Sequence, residues 1–332
     1  MTKRLAVVLM LTLPFAAAAQ QTGGVSQPPE RPKPEGSMVG YIDNAIVETQ
    51  LRIRFDAGFH AAFPDKAEFF YAKCGCYQDV TGPAEDAEAP GPEPVVTDMR
   101  FQELRLNGEF AFHQKISLFV DLPLRWIQPQ SFSPVASTFP GQSGLGDIAA
   151  GVKLGLIASE DRRHLTVQFR VETPSGDASR GLGTGHTSIE PALLYYERLS
   201  SRFALESEFA LWHPIGGSPG VASASDPDPR GFAGDILFYG VGPSYQLYKG
   251  DRVRISPVLE LAGWHILHGY QTAWSAPAPV GQKIDGTDIV NLKAGVRTAI
   301  GTRNSIYVGY GRALTDAVWY KDIVRVEYRR LF

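Results

Sequence analysis

Three stretches of strict alternation run between Gly144 and Tyr196. Ile148, Ala150, Val152, Leu154 and Leu156 are interleaved with Ala149, Gly151, Lys153 and Gly155. After the polar turn Ser159 to Arg163, Leu165, Val167, Phe169 and Val171 oppose Thr166, Gln168, Arg170 and Glu172. After the glycine-rich stretch Pro174 to Thr187, Ile189, Leu193 and Tyr195 oppose Glu190, Ala192 and Tyr196. A period of two with charge on the second face means that one face meets something apolar and the other meets water. Two architectures do this: a sandwich with a wet outside and a membrane barrel with a wet inside.

The run from Val47 separates them. Val47, Thr49, Leu51, Ile53, Phe55, Ala57 and Phe59 face one way, and Glu48, Gln50, Arg52, Arg54, Asp56 and His60 the other. Soluble strands seldom alternate for so long, whereas a tilted membrane strand needs about 9 to 11 residues inside the bilayer and projects beyond it. The same alternation recurs down the chain and predicts twelve strands. Their connections alternate in length: short at His113 to Lys115, Ser159 to Arg163, Leu199 to Arg202, Lys249 to Asp251 and Gly301 to Asn304, and longer at most of the intervening positions. Sorting loops by length is the asymmetry of an outer-membrane barrel with periplasmic termini. The fold class expected is therefore all-β, a transmembrane antiparallel up-and-down β-barrel of about 12 strands over residues 47–332. Trp126, Trp212, Trp264 and Trp319 are expected at one rim and Tyr245, Tyr248, Tyr328 and Phe332 at the other, as two aromatic girdles. Pro191, Pro243 and Pro257 fall inside expected strands, where each removes a ladder donor.

The start of the chain agrees with export. Lys3 and Arg4, an apolar run from Leu5 to Phe15, and Ala17-Ala18-Ala19 form a signal peptide over residues 1–19. Residues 20–46, with Pro28-Pro29-Glu30-Arg31-Pro32-Lys33-Pro34, read as a proline-rich periplasmic linker that should be mobile. No later apolar run reaches the roughly 20 residues of a membrane helix. A net charge of -3 gives no footprint for nucleic acid. The chain has two cysteines, Cys74 and Cys76, which in an exported protein are expected to close a small loop disulfide or to remain thiols.

The run Ser143-Gly144-Leu145-Gly146-Asp147, then Val152-Lys153-Leu154, Thr173-Pro174-Ser175-Gly176-Asp177-Ala178-Ser179-Arg180-Gly181-Leu182-Gly183 and Ser188-Ile189-Glu190-Pro191, resembles the outer-membrane family labelled MetA-pathway of phenol degradation. That resemblance implies a channel or transporter for small solutes, aromatic or other hydrophobic compounds among them. The last strand, with Val326, Tyr328 and Phe332, looks like the terminal strand read by the barrel-assembly machinery. Outer-membrane lipid and a small-molecule solute are the other expected partners, and no cofactor is expected.

Candidate chemistry is sparse. His186-Thr187-Ser188 is similar to the His-x-Ser of outer-membrane phospholipase, but there the pair faces lipid, and here the parity that turns Ile189 outward turns both inward. No enzyme activity is expected. His265 and His268 lack a carboxylate or thiol at matching spacing, so no metal site is expected either. The acidic stretch Glu85-Asp86-Ala87-Glu88 reads as a solvated outer loop. Closing twelve strands should gather Arg52, Arg54, Arg105 and Arg325 on one wall, facing Glu190, Glu206 and Glu208 across the lumen as the pore lining. The alternative is that these charges neutralise near neighbours such as Asp56, Glu103 and Glu327. A non-conducting structural or surface-interaction barrel is the rival to a channel, with a phospholipase-like enzyme third.

Overall fold

The computed structural model describes residues 36–134, 137–159, 162–222 and 230–332. The expected signal peptide and the linker up to residue 35 lie outside the described residues. In chain order the strands are β1 (Gln50–Ala61), β2 (Val95–His113), β3 (Ile116–Ser133), β4 (Gln142–Leu145), β5 (Ala149–Ala158), β6 (Arg163–Glu172), β7 (Thr187–Arg198) and β8 (Phe203–Ile215). There follow β9 (Ile236–Tyr245), β10 (Tyr248–Lys249), β11 (Val253–Ile266), β12 (Tyr270–Ser275), β13 (Ala278–Lys283), β14 (Thr287–Ile300), β15 (Asn304–Ala313) and β16 (Asp322–Leu331).

Twelve of these form one closed antiparallel barrel. The first and last meet, with Gln50 opposite Leu331 and Phe59 opposite Asp322, and β9 pairs β11 to complete the ring. The accessory strands belong to loops and edges: β4 adds to the outer end of β3, β10 to the start of β11, and β12 with β13 forms a separate hairpin. Closure leaves no unpaired edge, which is what spanning a bilayer with strands requires.

The outward face is the apolar one. Leu51, Ile53 and Phe55 on β1, Leu118, Val120, Leu122 and Leu124 on β3, and Leu292 and Val296 on β14 are all exposed. Their inward neighbours Arg52, Asp56, Asp121, Arg125, Asn291 and Arg297 are buried. A barrel with lipid-compatible outer walls and a polar interior is an outer-membrane protein. The connections sort as expected: β2–β3, β5–β6, β7–β8 and β14–β15 turn in a few residues, while the loops after β1, β3, β6, β8 and β11 are long. The short turns mark the periplasmic end.

Of the prolines expected inside strands, Pro191 and Pro243 are each accommodated at the expense of one ladder. Pro191 keeps its place opposite Phe169 on β6, while the pairing of β7 with β8 lapses between Ile189 and Ala192. Pro243 is opposite Leu205 on β8, and pairing with β11 lapses beside it. A strand residue directs its N–H to one neighbour only, so the other ladder is intact. His60, expected inward, is a correction: a register shift between Gly58 and Ala61 puts it at φ 55°. The bulge turns its ring outward, 3.2 Å from Asp98.

Candidate functional site in the barrel lumen

Residues 36–46, expected to be part of a mobile linker, are instead held inside the barrel. Gly36 lies beside Leu331 at the periplasmic end, Gly40 and Tyr41 reach Arg325, and the chain then returns through Asn44 and Ala45 to enter β1. Val39, Ala45 and Ile42 are almost fully buried. Proline, which has no N–H, is absent from this stretch although frequent just before it, and every residue from Met38 to Asp43 uses its N–H.

Three carboxylates take those donors. Glu206 accepts from Met38 N (2.8 Å) and Val39 N (3.3 Å). Glu260 accepts from Gly40, Tyr41 and Ile42 at 2.9, 2.9 and 3.0 Å, and Glu208 from Asp43 N at 2.7 Å. Among the described residues none of the three carboxylates pairs with a cation. The segment's carbonyls face the opposite charge. Arg329 donates to Ser37 O at 2.9 Å, Arg297 to Met38 O and Val39 O at 2.8 and 2.7 Å, and Arg325 to Gly40 O at 2.5 Å. Lys153 donates to Asn44 O (2.9 Å) and Thr166 to Ala45 O (2.6 Å). Side chains add to the grip: Asp43 pairs with Arg170 at 2.5 Å, and the Tyr41 ring lies 4.1 Å from the Arg325 guanidinium and 4.3 Å from Lys293 Nζ. Buried charges of this kind are tolerated because each finds a partner.

The seven residues expected to line a pore all point inward, but their partners differ from the two-wall arrangement. Arg54 and Arg105 are opposite one another across β1 and β2, and Arg325 is opposite Asp56, so the basic wall forms. It is largely neutralised within itself. Arg325 binds both Asp56 oxygens at 2.6 and 2.8 Å, Arg54 lies 3.2 Å from Asp56, Arg105 holds Glu103 at 2.9 Å, and Arg52 donates to Asn107 at 2.8 Å. Glu190 is taken by Arg170 at 2.5 Å. Glu206 and Glu208 do form an acidic arc on β8, joined by Glu260 on β11. Sequence reasoning missed Glu260, Arg297, Arg329, Lys153 and Lys293. The alternation of Leu259-Glu260-Leu261 and of Val296-Arg297 carried the signal.

A second body closes the outer mouth. The loop after β1 folds inward, setting Ala67 and Phe69 among Trp212, Ile236, Trp264, Ile266, Ile289 and Trp319. Three tryptophans expected in the lipid-facing girdle are thus buried inside, and Trp126 alone of the four is exposed. Parity explains the correction: Trp212 follows the outward Leu211 and Trp264 lies three residues after the outward Leu261. Polar contacts fix the loop. Glu68 accepts from Lys73 N, Ser218 N and Ser218 Oγ at 2.8, 3.0 and 2.6 Å, Arg125 donates to Phe70 O at 2.9 Å, and Asp65 accepts from Thr272 N and Oγ1. Burial pushes the Asp65 carboxyl up to about 6, and burial pulls the Lys66 ammonium down to about 8. Within the acidic stretch Asp86 is buried, not solvated, and binds Lys73 at 2.9 Å. Cys74 and Cys76 are joined in a disulfide.

His186 and Ser188 are both buried on the inner side. Ser188 Oγ donates to Glu172 at 3.3 Å and not to His186, whose Nδ1 lies 3.1 Å from Thr187 O. Nucleophile and base are therefore not engaged. His265 and His268 do not converge: His265 lies 2.8 Å from Asp288, while His268 lies 3.7 Å from Asp235. Among the described residues no cluster of three or more ligating side chains could hold a metal.

No family model matches the sequence, and no curated protein matches it. Solved structures resemble the fold. They include the COG4313 outer membrane channel from Pseudomonas putida F1 (14% identity, TM-score 0.49, covering 86% of this chain and 96% of that one). The beta domain of the Bordetella autotransporter BrkA is similar at 13% identity and TM-score 0.47, over 86% and 100% of the two chains. The NanC porin follows at 8% identity and TM-score 0.45, over 85% and 99%. Likeness at this level concerns architecture, which the strand pairing of this chain already establishes.

Proposed function

We propose that this protein is an outer-membrane channel for small solutes that its own N-terminal segment holds closed. The observation that carries this reading is the kind of bond retaining residues 38–43. Their main-chain N–H groups are held by Glu206, Glu208 and Glu260, and such bonds can be exchanged for water as the segment leaves. Once vacated, the acidic arc on β8 and β11 would face the arginines of β14, β16 and β1, and the field across that gap orients small dipolar solutes. The tryptophan-lined mouth offers aromatic compounds a stacking surface, in keeping with the family resemblance read from residues 143–191. Arg52, Arg54, Arg105 and Arg325, with Glu190, Glu206 and Glu208, are the proposed lining of the opened path.

A second reading, a non-conducting structural barrel, is favoured by the double filling of the lumen. Planar-bilayer recording distinguishes the two. A channel is expected to show brief openings that lengthen in Glu206→Gln with Glu208→Gln, and Arg52→Glu with Arg54→Glu should move the reversal potential toward cation selectivity, more strongly at low salt. Silence in the wild type and in all variants would establish the structural barrel, and equal selectivity would remove the arginines from the path.

A further inference from the structure

The two ends of the barrel differ in charge. At the long-loop end exposed charges of both signs are mixed, Asp79, Glu85, Glu88, Glu93, Asp177 and Asp316 with Arg100, Arg180, Arg230, Lys283, Arg312 and Lys321. At the periplasmic end every short turn exposes a cation: Lys115 after β2, Arg162 after β5, Arg202 after β7, Arg252 before β11 and Arg303 after β14, with Arg330 on β16 completing the circle. Among the described residues no ion pair holds any of these six. The described carboxylates at this end are few. Glu197 is occupied by Arg163 at 2.6 Å, Asp251 shares the β10–β11 turn, and Glu48 lies inside beside Gly36. Glu160 and Asp161 share the turn with Arg162 and lie outside the described residues. The chain as a whole is slightly acidic, at -3, so the ring is a local feature and not a general basicity.

Its position gives it a partner. Immediately toward the bilayer stand strongly exposed apolar side chains, among them Phe110 (62%), Leu247 (64%), Phe112 (56%), Tyr248 (53%) and Phe332 (56%). Aromatic rings at such a level lie at the headgroup boundary. Cations one turn further out therefore meet the phosphates of the periplasmic leaflet, with their stems covering apolar surface as lysine and arginine do at membrane interfaces.

We propose that the periplasmic rim is a binding ring for anionic phospholipid, in which Lys115, Arg162, Arg202, Arg252, Arg303 and Arg330 hold phosphatidylglycerol-type headgroups around the circumference. The occupant is a membrane lipid and not a soluble anion, because the ring is continuous with the lipid-facing band and Arg330 lies 5.4 Å from the exposed Phe332 ring. A headgroup bearing net negative charge is favoured over a zwitterionic one, whose amine would meet the same cations. The inference stands independently of whether the barrel conducts.

Native mass spectrometry of the full chain in detergent tests it, with equal amounts of phosphatidylglycerol and phosphatidylethanolamine as the probes. Wild-type protein is expected to retain phosphatidylglycerol at least about fivefold over phosphatidylethanolamine, the factor one cation near a membrane surface confers. Lys115→Gln, Arg202→Gln, Arg252→Gln and Arg303→Gln combined should abolish the preference, while Glu85→Gln with Glu88→Gln at the other end should leave it unchanged. Single substitutions provide graded losses if the combined variant folds poorly, with heat-modifiable gel mobility as the folding check. Equal retention of the two lipids by wild type, or an undiminished preference in the correctly folded variant, overturns the proposal. Glycerol 3-phosphate displacing the lipid at equal concentration would also overturn it, by showing a soluble-phosphate site.

Discussion

Replacing Glu260 by alanine should release the N-terminal segment. Glu260 takes half of the six main-chain N–H bonds that β8 and β11 make to residues 38–43, and it also accepts from Tyr307 at 3.2 Å. A hydrogen bond to a charged group contributes about 1.5–3 kcal/mol, so three give a gross loss of about 5–9 kcal/mol. Water entering the vacated carboxylate site restores part of this, and about 3 kcal/mol is a reasonable net, or roughly a hundredfold in the ratio of released to docked segment. Glu260→Gln, which keeps one oxygen acceptor, should fall between. Ile42, 3% exposed, reports the release: Ile42→Cys would supply the one free thiol, since Cys74 and Cys76 are paired. Its labelling by a maleimide in proteoliposomes should be slow in the otherwise wild-type chain and about a hundredfold faster with Glu260→Ala. Equal labelling rates in two properly folded proteins would refute the reasoning, because they would mean that the carboxylate does not retain the segment.

The outer mouth and the topology lend themselves to separate tests. Asp65 is raised from 3.8 to about 6 by burial, so its contribution to docking of the first loop is fully present below pH 4 and is lost as pH rises through 6, by about 3 kcal/mol. Hydrogen exchange of residues 65–72, corrected for its intrinsic pH dependence, should therefore be slower at pH 4.5 than at pH 7, and Asp65→Asn should flatten that difference. Trp212→Ala removes a 2% exposed ring stacked edge-on against Phe69 at 5.2 Å; it should weaken loop docking by about 3 kcal/mol, seen as faster exchange in the same residues with the barrel still resistant to heat-unfolding in gels. A glutamate-specific protease added to intact cells should cut at the exposed Glu85 or Glu88, and protection of both sites would invert the assigned topology.

The barrel was legible because its signal is local. Leu51, Ile53 and Phe55 alternate with Arg52 and Arg54 regardless of what fills the centre, and lipid outside plus charge inside is enough to fix twelve strands and their order. The same parity, applied to every residue, would have placed Trp212, Trp264 and Glu260 inside. Aromatic character was read as a girdle signal, and it overrode position in the strand. The occupant of the lumen was hidden for a different reason. Residues 38–43 are recognised through backbone N–H and C=O groups, which every non-proline residue possesses, so Met38 to Asp43 show no motif. What the sequence did hold was the complement: inward Glu206 and Glu208 without a cation at a matching cross-strand position, Glu260 with one such partner in Lys293, and arginines in excess on the opposite wall.

The two obstructions differ in chemistry, and that difference bears on how a path would open. The N-terminal segment is gripped largely by charge-assisted bonds to its backbone, with Asp43 and Tyr41 adding side-chain contacts, so competing donors, acceptors or ionic strength act on it. The first loop is seated on Trp212, Trp264 and Trp319 with Glu68 fixed beneath it, so its release exposes apolar surface and is resisted by water rather than assisted by it. A polar solute in the periplasm can therefore favour the first opening without affecting the second, whereas an aromatic compound arriving from outside competes for the very surface that Phe69 occupies. Opening from the outer side by such a compound would leave the carboxylates of β8 and β11 still bound to residues 38–43. On the proposed channel reading, passage would require both closures to yield, which makes the Glu260 and Trp212 substitutions separable in effect: the first would change access from the periplasm, the second access from the cell surface.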